Sequence, residues 1–359
     1  MSYGDELAAL MQPLLPAGHE FVLAHLPSVP QKCRKLVFTR TRDARLDAVT
    51  THYFVLTTGT VAVLALELLT FESPRDFTLF VSKADTAGHY EGPKLNMMRI
   101  TQALIRCVLR HFAPARKRVR ICLFAKAEKQ YLFLGSVNNP KKHVLSDAEL
   151  VKWWTNCLDG LADDADPPVK ACVSIPGIDE NPTAVAKYFP PEPRLPWRAG
   201  DIFWEGASPD EDVAAWAVYR IPRFPDDPKS RFLDAIVADK RAKHVTKGQF
   251  WLELQSRQEF RLGKSVGIIG VEFHLKQQGA SSPLPGLSQR DLHRFKDLLV
   301  SLNFESKEST EAATRRLLRG VDAAHKFTLK GTGPILTYAK RQTAQPVNTL
   351  NVVRKKRKT

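Results

Sequence analysis

The order of the apolar segments is the feature that most restricts the fold. Short apolar runs bounded by turn residues have the length and composition of β-strands, and they lie at 20–26, 35–39, 52–57, 61–71, 77–81, 119–124, 169–175 and 266–275. Helical spacing or a helix start is seen at 5–11, 96–112, 146–158, 228–241, 246–259, 288–302 and 307–327. Strands come first, helices and strands then alternate, and helices finish the chain. We therefore predict an α/β fold, with a mixed central β-sheet covered by helices.

Length and local composition indicate how the chain divides. Its 359 residues exceed the roughly 250–300 residues beyond which a single core usually splits, so one large domain with an appendage is expected. Residues 179–223 are rich in proline and aromatic residues, which suits an ordered wrapping loop better than a linker. We predict one domain over 1–330 that includes this loop, followed by a basic C-terminal tail over 331–359.

The charge is concentrated in that tail. The chain has a net charge of +15, and residues 331–359 contain seven Lys or Arg residues but no Asp or Glu. The run Arg354–Lys358 resembles a nuclear import signal or a contact for polyanions. We predict a nuclear protein, while a solvated tail without direct contacts remains the alternative.

Cysteine spacing and hydropathy exclude several classes of protein. The five cysteines are scattered without a CxxC pair, so structural zinc is not expected, and reduced thiols in a reducing compartment are favoured. The longest apolar run, Val61–Leu66, is followed by Glu67 and is too short to cross a bilayer. The N-terminus shows no basic region before an apolar stretch, so neither a membrane anchor nor a secretory signal is predicted.

A basic loop follows the predicted strand at 119–124. It contains Lys126, Tyr131, Lys142 and His143 and leads into a helix capped by Ser146. Lysines and free backbone N–H groups at a helix start can hold a diphosphate, although this loop matches neither a Walker A motif nor a dinucleotide fingerprint. A solvated basic loop therefore stays open as an alternative.

Two adjacent tryptophans, Trp153 and Trp154, lie on the helix that follows this loop. Neighbouring helical residues point about 100° apart. One ring can therefore pack in the core while the other lines a cleft.

An acidic pair precedes the helix predicted at 228–241. Asp227 is well placed as an N-cap, with Pro228 as the first helical residue, but capping explains neither Asp226 nor Lys229. A cation in the first turn opposes the helix dipole, and acetylation of Lys229 would remove that charge. Two carboxylates at a helix start suit a substrate ammonium group or a metal ion. The lack of a further Asp, Glu or His cluster nearby favours the ammonium group, so no metal is predicted.

Several segments together resemble the fungal histone acetyltransferases of the regulator-of-Ty-transposition family, which are related in structure to the acetyltransferase domain of CREB-binding protein. The resemblance covers most of residues 1–330, through Phe80–Asp85, Tyr131–Trp154, Phe224–Leu233, Gln258–Leu262 and Val266–Gly270. It implies transfer of an acetyl group from acetyl-CoA to lysines of histone H3, both a core lysine near the DNA entry point and tail lysines. It also implies that histone chaperones present H3–H4, in replication-coupled nucleosome assembly and genome maintenance.

The resemblance also implies roles for individual residues. The residues expected to line the acetyl-CoA site are Phe124, Lys126, Tyr131, Lys142, His143 and Trp154, with Tyr131 and Trp154 near the reacting thioester. The residues expected to face the substrate lysine are Asp85, Asp226 and Asp227, and Lys229 matches an autoacetylated lysine. Lys126 stands where arginine is expected, and lysine binds phosphate as a point charge rather than bidentately.

These assignments predict direct transfer in a ternary complex. No cysteine lies in the motifs, and Cys122 and Cys157 fall in segments expected to be buried, so an acyl-enzyme is not predicted. Asp226 or Asp227 would orient the lysine, and Tyr131 would protonate the leaving thiolate. Trp154 would shape the acetyl tunnel.

Two other classes of function remain open at this stage. A non-catalytic nuclear protein that binds nucleic acid or a histone chaperone would account for the +15 charge. An acidic chaperone docking on the tail at 340–358 reconciles that charge with a basic histone substrate. A phosphate-utilising enzyme with a metal ion at Asp226 and Asp227 would instead depend on a divalent cation.

Overall fold

The computed structural model describes residues 2–38, 46–114, 117–178, 181–203, 216–225, 227–255, 266–276 and 284–336. Its strands are β1 (Glu20–Pro27), β2 (Gln31–Cys33), β3 (Asp47–Thr57), β4 (Ala62–Glu72), β5 (Asp76–Thr86), β6 (Arg118–Ala125), β7 (Ala165–Ser174), β8 (Trp197–Ala199), β9 (Gly267–Leu275) and β10 (Lys326–Lys330). Its α-helices are α1 (Tyr3–Met11), α2 (Met97–Phe112), α3 (Asp147–Asp159), α4 (Pro182–Ala186), α5 (Pro228–Ala238), α6 (Lys247–Gln255), α7 (Gln289–Ser301) and α8 (Lys307–Arg319).

The described strands form one mixed sheet. Its order is β10-β1-β3-β4-β5-β6-β9-β7-β8, with β2 paired to β3. The pairs β5–β6 and β7–β8 are parallel, and the other pairs are antiparallel. The predicted α/β fold with a mixed central sheet is therefore confirmed.

Helices cover both faces of the sheet. On one face α1, α2 and α3 share the largest apolar cluster, and α2 buries Ile100, Leu104 and Val108 at helical spacing. On the other face α7 and α8 pack over β1, β3 and β4, and α5 and α6 form a separate small cluster. None of the helices in the described ranges has the length and apolarity needed to cross a membrane.

Two secondary-structure predictions are wrong. In the run at 35–39, residues 35–38 are not a strand. Leu36 is buried against aromatic side chains instead, while the strand that pairs with β3 is Gln31–Cys33. The helix predicted to reach 327 ends at Arg319, before Gly320, and residues 326–330 are the strand β10. Pairing with β1, some 300 residues earlier, determines this strand, and local periodicity carries no sign of it.

The described parts of the segment 179–223 hold more regular structure than a loop. Residues 182–186 form α4 and residues 197–199 form β8, an edge strand of the sheet. Asp159 at the end of α3 fixes the segment, because its carboxylate accepts hydrogen bonds from the backbone N–H groups of Arg194 and Leu195 and from the Trp197 indole, at 2.8–3.1 Å. Residues 204–215, and Gln258–Leu262 from the resemblance, lie outside the described ranges.

Residues 331–336 are attached to the body of the protein. The N–H groups of Gly331, Thr332 and Gly333 donate to the carbonyls of His19, Gln12 and Leu15 at 2.8–2.9 Å. A Cβ at Gly333 would lie 2.2 Å from the Pro13 carbonyl oxygen, so the close approach requires glycine there. The attached chain continues past the predicted domain boundary at 330, and the rest of the basic tail, from 337 onward, lies outside the description.

A buried histidine pair predicts acid sensitivity. His25 and His52 are fully buried, with His25 Nε2 3.1 Å from His52 Nδ1 and His52 Nε2 3.2 Å from Thr70 Oγ1. Burial lowers the pKa of His52 to about 3 and that of His25 well below its usual value. The titratable groups around the pair are Tyr3, Glu6, Cys107, His111 and His325. The unfolded chain binds protons near pH 6.5 that the folded chain does not, so stability falls as the pH drops below about 6.5.

We expect the free energy of unfolding to fall by about 3–5 kcal/mol between pH 7 and pH 4.5 through this pair. Urea unfolding at a series of pH values measures it. His52→Gln should make the free energy of unfolding depend less on pH between pH 7 and pH 4.5. His19→Gln, at an exposed position, should leave this pH dependence unchanged. Equal curves for wild type and His52→Gln would show that other groups cause the acid sensitivity.

Candidate active site

A cleft opens at the ends of β5 and β6. These strands are parallel, so their carboxyl ends meet at one edge of the sheet, where binding residues commonly lie in α/β folds. The cleft has a volume of about 740 Å³, within the usual range of roughly 300–1,000 Å³ for ligand pockets. Its apolar wall includes Val63, Leu64, Val81, Leu95, Met98, Leu123, Leu150, Trp153 and Trp154. Its basic residues are Lys83, Lys94, Lys126, Lys141, Lys142 and His143.

The residues predicted to bind acetyl-CoA all line this cleft: Phe124, Lys126, Tyr131, Lys142, His143 and Trp154, together with Asp85. Phe124 ends β6, and the loop that follows carries the others to the start of α3. That start is fixed by a capping box at the predicted cap Ser146, because Ser146 accepts from the Glu149 N–H and Glu149 accepts from the Ser146 N–H. An apolar wall beside a basic loop fits a ligand with an acyl-thioester end and a phosphate end.

Asp85 organises the loop that follows β6. Its Oδ2 accepts hydrogen bonds from the N–H groups of Tyr131, Leu132 and Phe133 at 2.7, 2.9 and 3.0 Å. Its Oδ1 accepts from the Lys142 ammonium at 2.7 Å, and only 7% of the residue is exposed. The carboxylate is thus fully engaged within the protein, so this geometry does not support the predicted contact between Asp85 and a substrate lysine.

Lys142 is held from two sides. Its Nζ donates to Asp85 and, at 2.7 Å, to Ser136 Oγ. Gly88 lets the neighbouring loop approach, because it has a φ of +79° and a Cβ there would lie 2.9 Å from the Lys142 Cα. The charge predicted to meet phosphate is therefore already balanced by a buried carboxylate.

Tyr131 lines the cleft but is poorly suited to act as the predicted acid. Its hydroxyl donates to the Lys126 carbonyl at 2.7 Å. Burial raises the pKa of the Tyr131 hydroxyl, and the nearby carboxylates of Glu128, Asp85 and Asp147 raise it further. Because proton transfer from so weak an acid to a thiolate is uphill, the geometry favours a hydrogen-bond donor over the predicted proton donor.

Both tryptophans of α3 reach the cleft. Trp153 and Trp154 meet edge to face, with ring centroids 4.8 Å apart. Trp154 is 5% exposed and belongs to the main apolar cluster, while Trp153 is half-buried. The prediction that one ring packs in the core and the other lines a cleft is thus too simple, since Trp154 does both.

The Asp227–Lys229 pair packs against the ring of Phe124, a residue that lines the cleft. Asp227 caps α5, accepting from the Lys229 N–H at 3.0 Å, and it also pairs with the Lys229 ammonium. Each residue is 3% exposed. The ammonium lies 5.4 Å from the centroid of the Phe124 ring. Burial lowers the pKa of Lys229 to about 7, against the raising effect of the Asp201 carboxylate. Asp226 lies outside the described residues.

Other chemistry finds little support in the described part of the chain. No three His, Cys, Asp or Glu side chains there converge to hold a metal ion. Cys122 and Cys157 are buried, and burial raises the pKa of both thiols. Neither cysteine resembles an activated nucleophile, which needs a lowered thiol pKa.

Several cleft residues were not predicted. They are Gly88, Tyr90, Lys94, Leu95, Asn96, Met97, Met98 and Leu336. Asn96 could have been noticed as the N-cap of α2, where its side chain accepts from the Arg99 N–H. Leu336 carries no local signal, because long-range hydrogen bonds bring its segment to the cleft.

Known proteins resemble this chain along most of its length. The model of the histone acetyltransferase KAT11-type domain matches residues 7–113 and 108–320, so the chain is a KAT11-type histone acetyltransferase. The histone acetyltransferase rtt109 of Schizosaccharomyces pombe is 30% identical over 280 residues, which are 72% of this chain and 69% of that protein. The chain belongs to the Rtt109 family of histone acetyltransferases.

Two further relatives match over a smaller share of their own length. RTT109 of Candida albicans is 35% identical over 164 residues, which are 46% of this chain and 42% of that protein. The rtt109 protein of Aspergillus flavus is 28% identical over 316 residues, which are 74% of this chain and 55% of that protein. The crystal structure of Rtt109 from Aspergillus fumigatus aligns with a TM-score of 0.77 and 23% identity, covering 93% of this chain and 100% of that one, which supports the fold.

Proposed function

We propose that this histone acetyltransferase transfers acetyl groups from acetyl-CoA to lysines of histone H3, on H3–H4 presented by an acidic histone chaperone. The proposed setting is the nucleus, in replication-coupled nucleosome assembly and genome maintenance. The observation that carries the proposal is the cleft, which brings the predicted cofactor residues together beside an apolar wall. The basic tail at 340–358 is the proposed contact for the chaperone, because its charge complements an acidic partner.

Acetyl-CoA supplies an activated acyl group, and the protein positions the reacting groups and stabilises their charges. Phe124 and Trp154 would enclose the acetyl end, while Lys126, Lys142 and His143 would contact the phosphates. Tyr131 would turn its hydroxyl from the Lys126 carbonyl to donate a hydrogen bond to the departing sulfur, without giving up its proton. A donor aimed at the sulfur in this way stabilises charge that develops during the reaction.

The acidic pair Asp226 and Asp227 would hold the ammonium group of the incoming lysine. In this structure Asp227 already holds a lysine from its own chain, Lys229. Acetylation of Lys229 removes that ammonium charge and leaves the Asp227 carboxylate free for a substrate. We therefore propose Lys229 as an autoacetylation site that prepares Asp227, in a direct transfer without an acyl-enzyme.

The pH dependence of Lys229 autoacetylation should reflect the lowered pKa of this lysine. A neutral amine is the nucleophile, and with a pKa of about 7 about half of the Lys229 side chains are neutral near pH 7. We expect the single-turnover rate of Lys229 acetylation without histones to level off above about pH 8. Peptide mass spectrometry over pH 6–9 measures this rate, with Lys229→Arg as the control for site assignment. A rate that keeps rising tenfold per pH unit up to pH 9 would show an ordinary lysine pKa.

Mass spectrometry of H3 also tests the function as a whole. The enzyme is incubated with acetyl-CoA and H3–H4, with and without an acidic chaperone. Acetylation of H3 lysines that increases with the chaperone supports the proposal. Acetylation of another histone in preference to H3 contradicts the proposed substrate, and a rate unaffected by any chaperone contradicts the proposed presentation.

A further inference from the structure

Glu67 is a buried carboxylate in an apolar stretch of β4, and only 4% of the residue is exposed. Its Oε1 accepts a hydrogen bond from the Tyr53 hydroxyl, and its Oε2 accepts one from Ser82 Oγ at 2.9 Å. The same Oε2 lies 3.4 Å from the Lys83 ammonium. Ser82 and Lys83 both line the cleft. The carboxylate thus connects the neighbouring strand β3 to two residues of the cleft.

Ser82 is an extra residue in β5. In the antiparallel pairing with β4, Lys83 lies opposite Glu67. Val81 lies opposite Leu68, which is the next residue of β4. Ser82 therefore has no partner in β4 and forms a β-bulge, which displaces the later residues of β5 by one position relative to β4. The hydrogen bond from Ser82 Oγ to Glu67 holds this bulge.

The bulge decides which face of the sheet Asp85 occupies. Before the bulge, Leu79 and Val81 point to the face covered by α1, α2 and α3. Strict alternation along the strand would place Asp85 on that same face. With the bulge, Ala84 packs there instead, and Asp85 lies opposite Ala65, which belongs to the apolar cluster under α7 and α8.

This second face is where the loop after β6 runs. Leu132 and Phe133 belong to the same cluster as Ala65, and their N–H groups donate to the Asp85 carboxylate. A β5 strand without the bulge would direct this carboxylate into the apolar face beside α2. The loop that carries Tyr131 would then lose its acceptor.

We propose that Glu67 is a positioning residue for acetyl transfer, which holds the Ser82 bulge and thereby the Asp85 carboxylate. Asp85 in turn fixes the loop that carries Tyr131. This inference rests on the proposed use of the cleft for acetyl-CoA. Glu67 itself does not line the cleft, so it acts through its neighbours and not on the reacting atoms. A buried ion pair adds little stability over well-packed apolar residues, so the position of its partners is the larger effect of Glu67.

Glu67→Gln tests this inference, with Glu272→Gln as the matched control. Glu272 is also a buried carboxylate of the sheet; it pairs with Arg120 at 2.6 Å and does not line the cleft. Steady-state acetylation of core histones measures kcat and KM. We expect Glu67→Gln to lower kcat about tenfold or more, with less than about a threefold change in KM for acetyl-CoA, because the freed Lys83 ammonium adds positive charge to the cleft. Glu272→Gln should lose stability but keep kcat.

A double-mutant cycle tests whether Glu67 acts through Asp85. If it does, Glu67→Gln combined with Asp85→Asn lowers kcat no further than Asp85→Asn alone. Ser82→Ala removes only the hydrogen bond that holds the bulge and should lower kcat in the same direction, which keeps the test available if Glu67→Gln does not fold. Wild-type kcat in both Glu67→Gln and Ser82→Ala, or losses that add in full to that of Asp85→Asn, would overturn the inference.

Hydrogen exchange at residues 131–133 gives a measurement that needs no substrate. Their N–H groups should exchange faster in Glu67→Gln than in wild type and should be unchanged in Glu272→Gln. Equal exchange in wild type and Glu67→Gln would contradict the positioning role. If the wild-type chain does not bind CoA, the proposed use of the cleft fails, whereas wild-type activity with an unaffected Glu67→Gln rejects only the role of Glu67.

Discussion

Asp85→Asn is expected to reduce kcat/KM for acetyl transfer by about 10²–10³-fold. Four backbone N–H groups and the Lys142 ammonium converge on this carboxylate, and an amide cannot balance the ammonium charge. Breaking a buried ion pair from one side costs about 3–5 kcal/mol. The loop carrying Tyr131 then loses its position, and a displacement of about 1 Å at a reacting centre can cost about 10²-fold in rate. Steady-state kinetics with H3–H4, together with thermal unfolding, measure the two effects.

Two further variants separate the effect of a displaced loop from the effect of lost stability. Asp291→Asn changes the same charge at an exposed carboxylate of α7 and should leave activity unchanged. Adding Lys142→Met to Asp85→Asn removes the uncompensated ammonium and should recover part of the lost stability, while the activity stays low. Near-normal CoA affinity and turnover in Asp85→Asn would contradict the role of this carboxylate in holding the loop.

Asp227→Asn is expected to lower turnover on H3 by about 10²-fold or more, with a smaller loss of stability. The variant keeps an N-cap side chain, which limits the capping cost to less than the ~0.5–2 kcal/mol of a full cap deletion. It removes the buried charge that pairs with Lys229 and that is proposed to receive the substrate lysine. Quantitative mass spectrometry of H3 under single-turnover conditions measures the loss.

The matched control for Asp227→Asn is Asp234→Asn on the same helix. Asp234 pairs with Arg223 at 3.3 Å at the surface and should be neutral for turnover. Combining Asp227→Asn with Lys229→Gln removes the unpaired ammonium, so it should restore stability but not turnover. Equal activity of wild type and Asp227→Asn would show that Asp227 acts only as the N-cap of α5.

Local patterns predicted the elements that depend on local chemistry. The Ser146 cap predicted the start of α3, and the apolar spacing of α2 predicted its buried face. The cleft residues that follow β6 were also within reach, because one continuous loop brings Lys126 through His143 to the same edge of the sheet. In these places neighbouring residues determine the structure.

The features that could not be predicted are those that depend on long-range contacts. The helix predicted at 307–327 extends over the first two residues of β10, because only pairing with β1 makes this segment a strand. Asp85 was predicted to meet a substrate, yet three N–H groups about 46–48 positions away occupy it. The place of Leu336 in the cleft likewise depends on contacts with Lys94 and the first 20 residues.

The pairing of the first strand with the last has a consequence for how the protein is made. β1 emerges from the ribosome early, but its partner β10 is among the last described segments to be synthesised. Until then the backbone N–H and C=O groups along one edge of β1 are unpaired, which favours association with other chains. The growing polypeptide thus needs protection against aggregation for most of its synthesis. A truncated product that stops before residue 326 should aggregate or be degraded rather than act as a smaller enzyme.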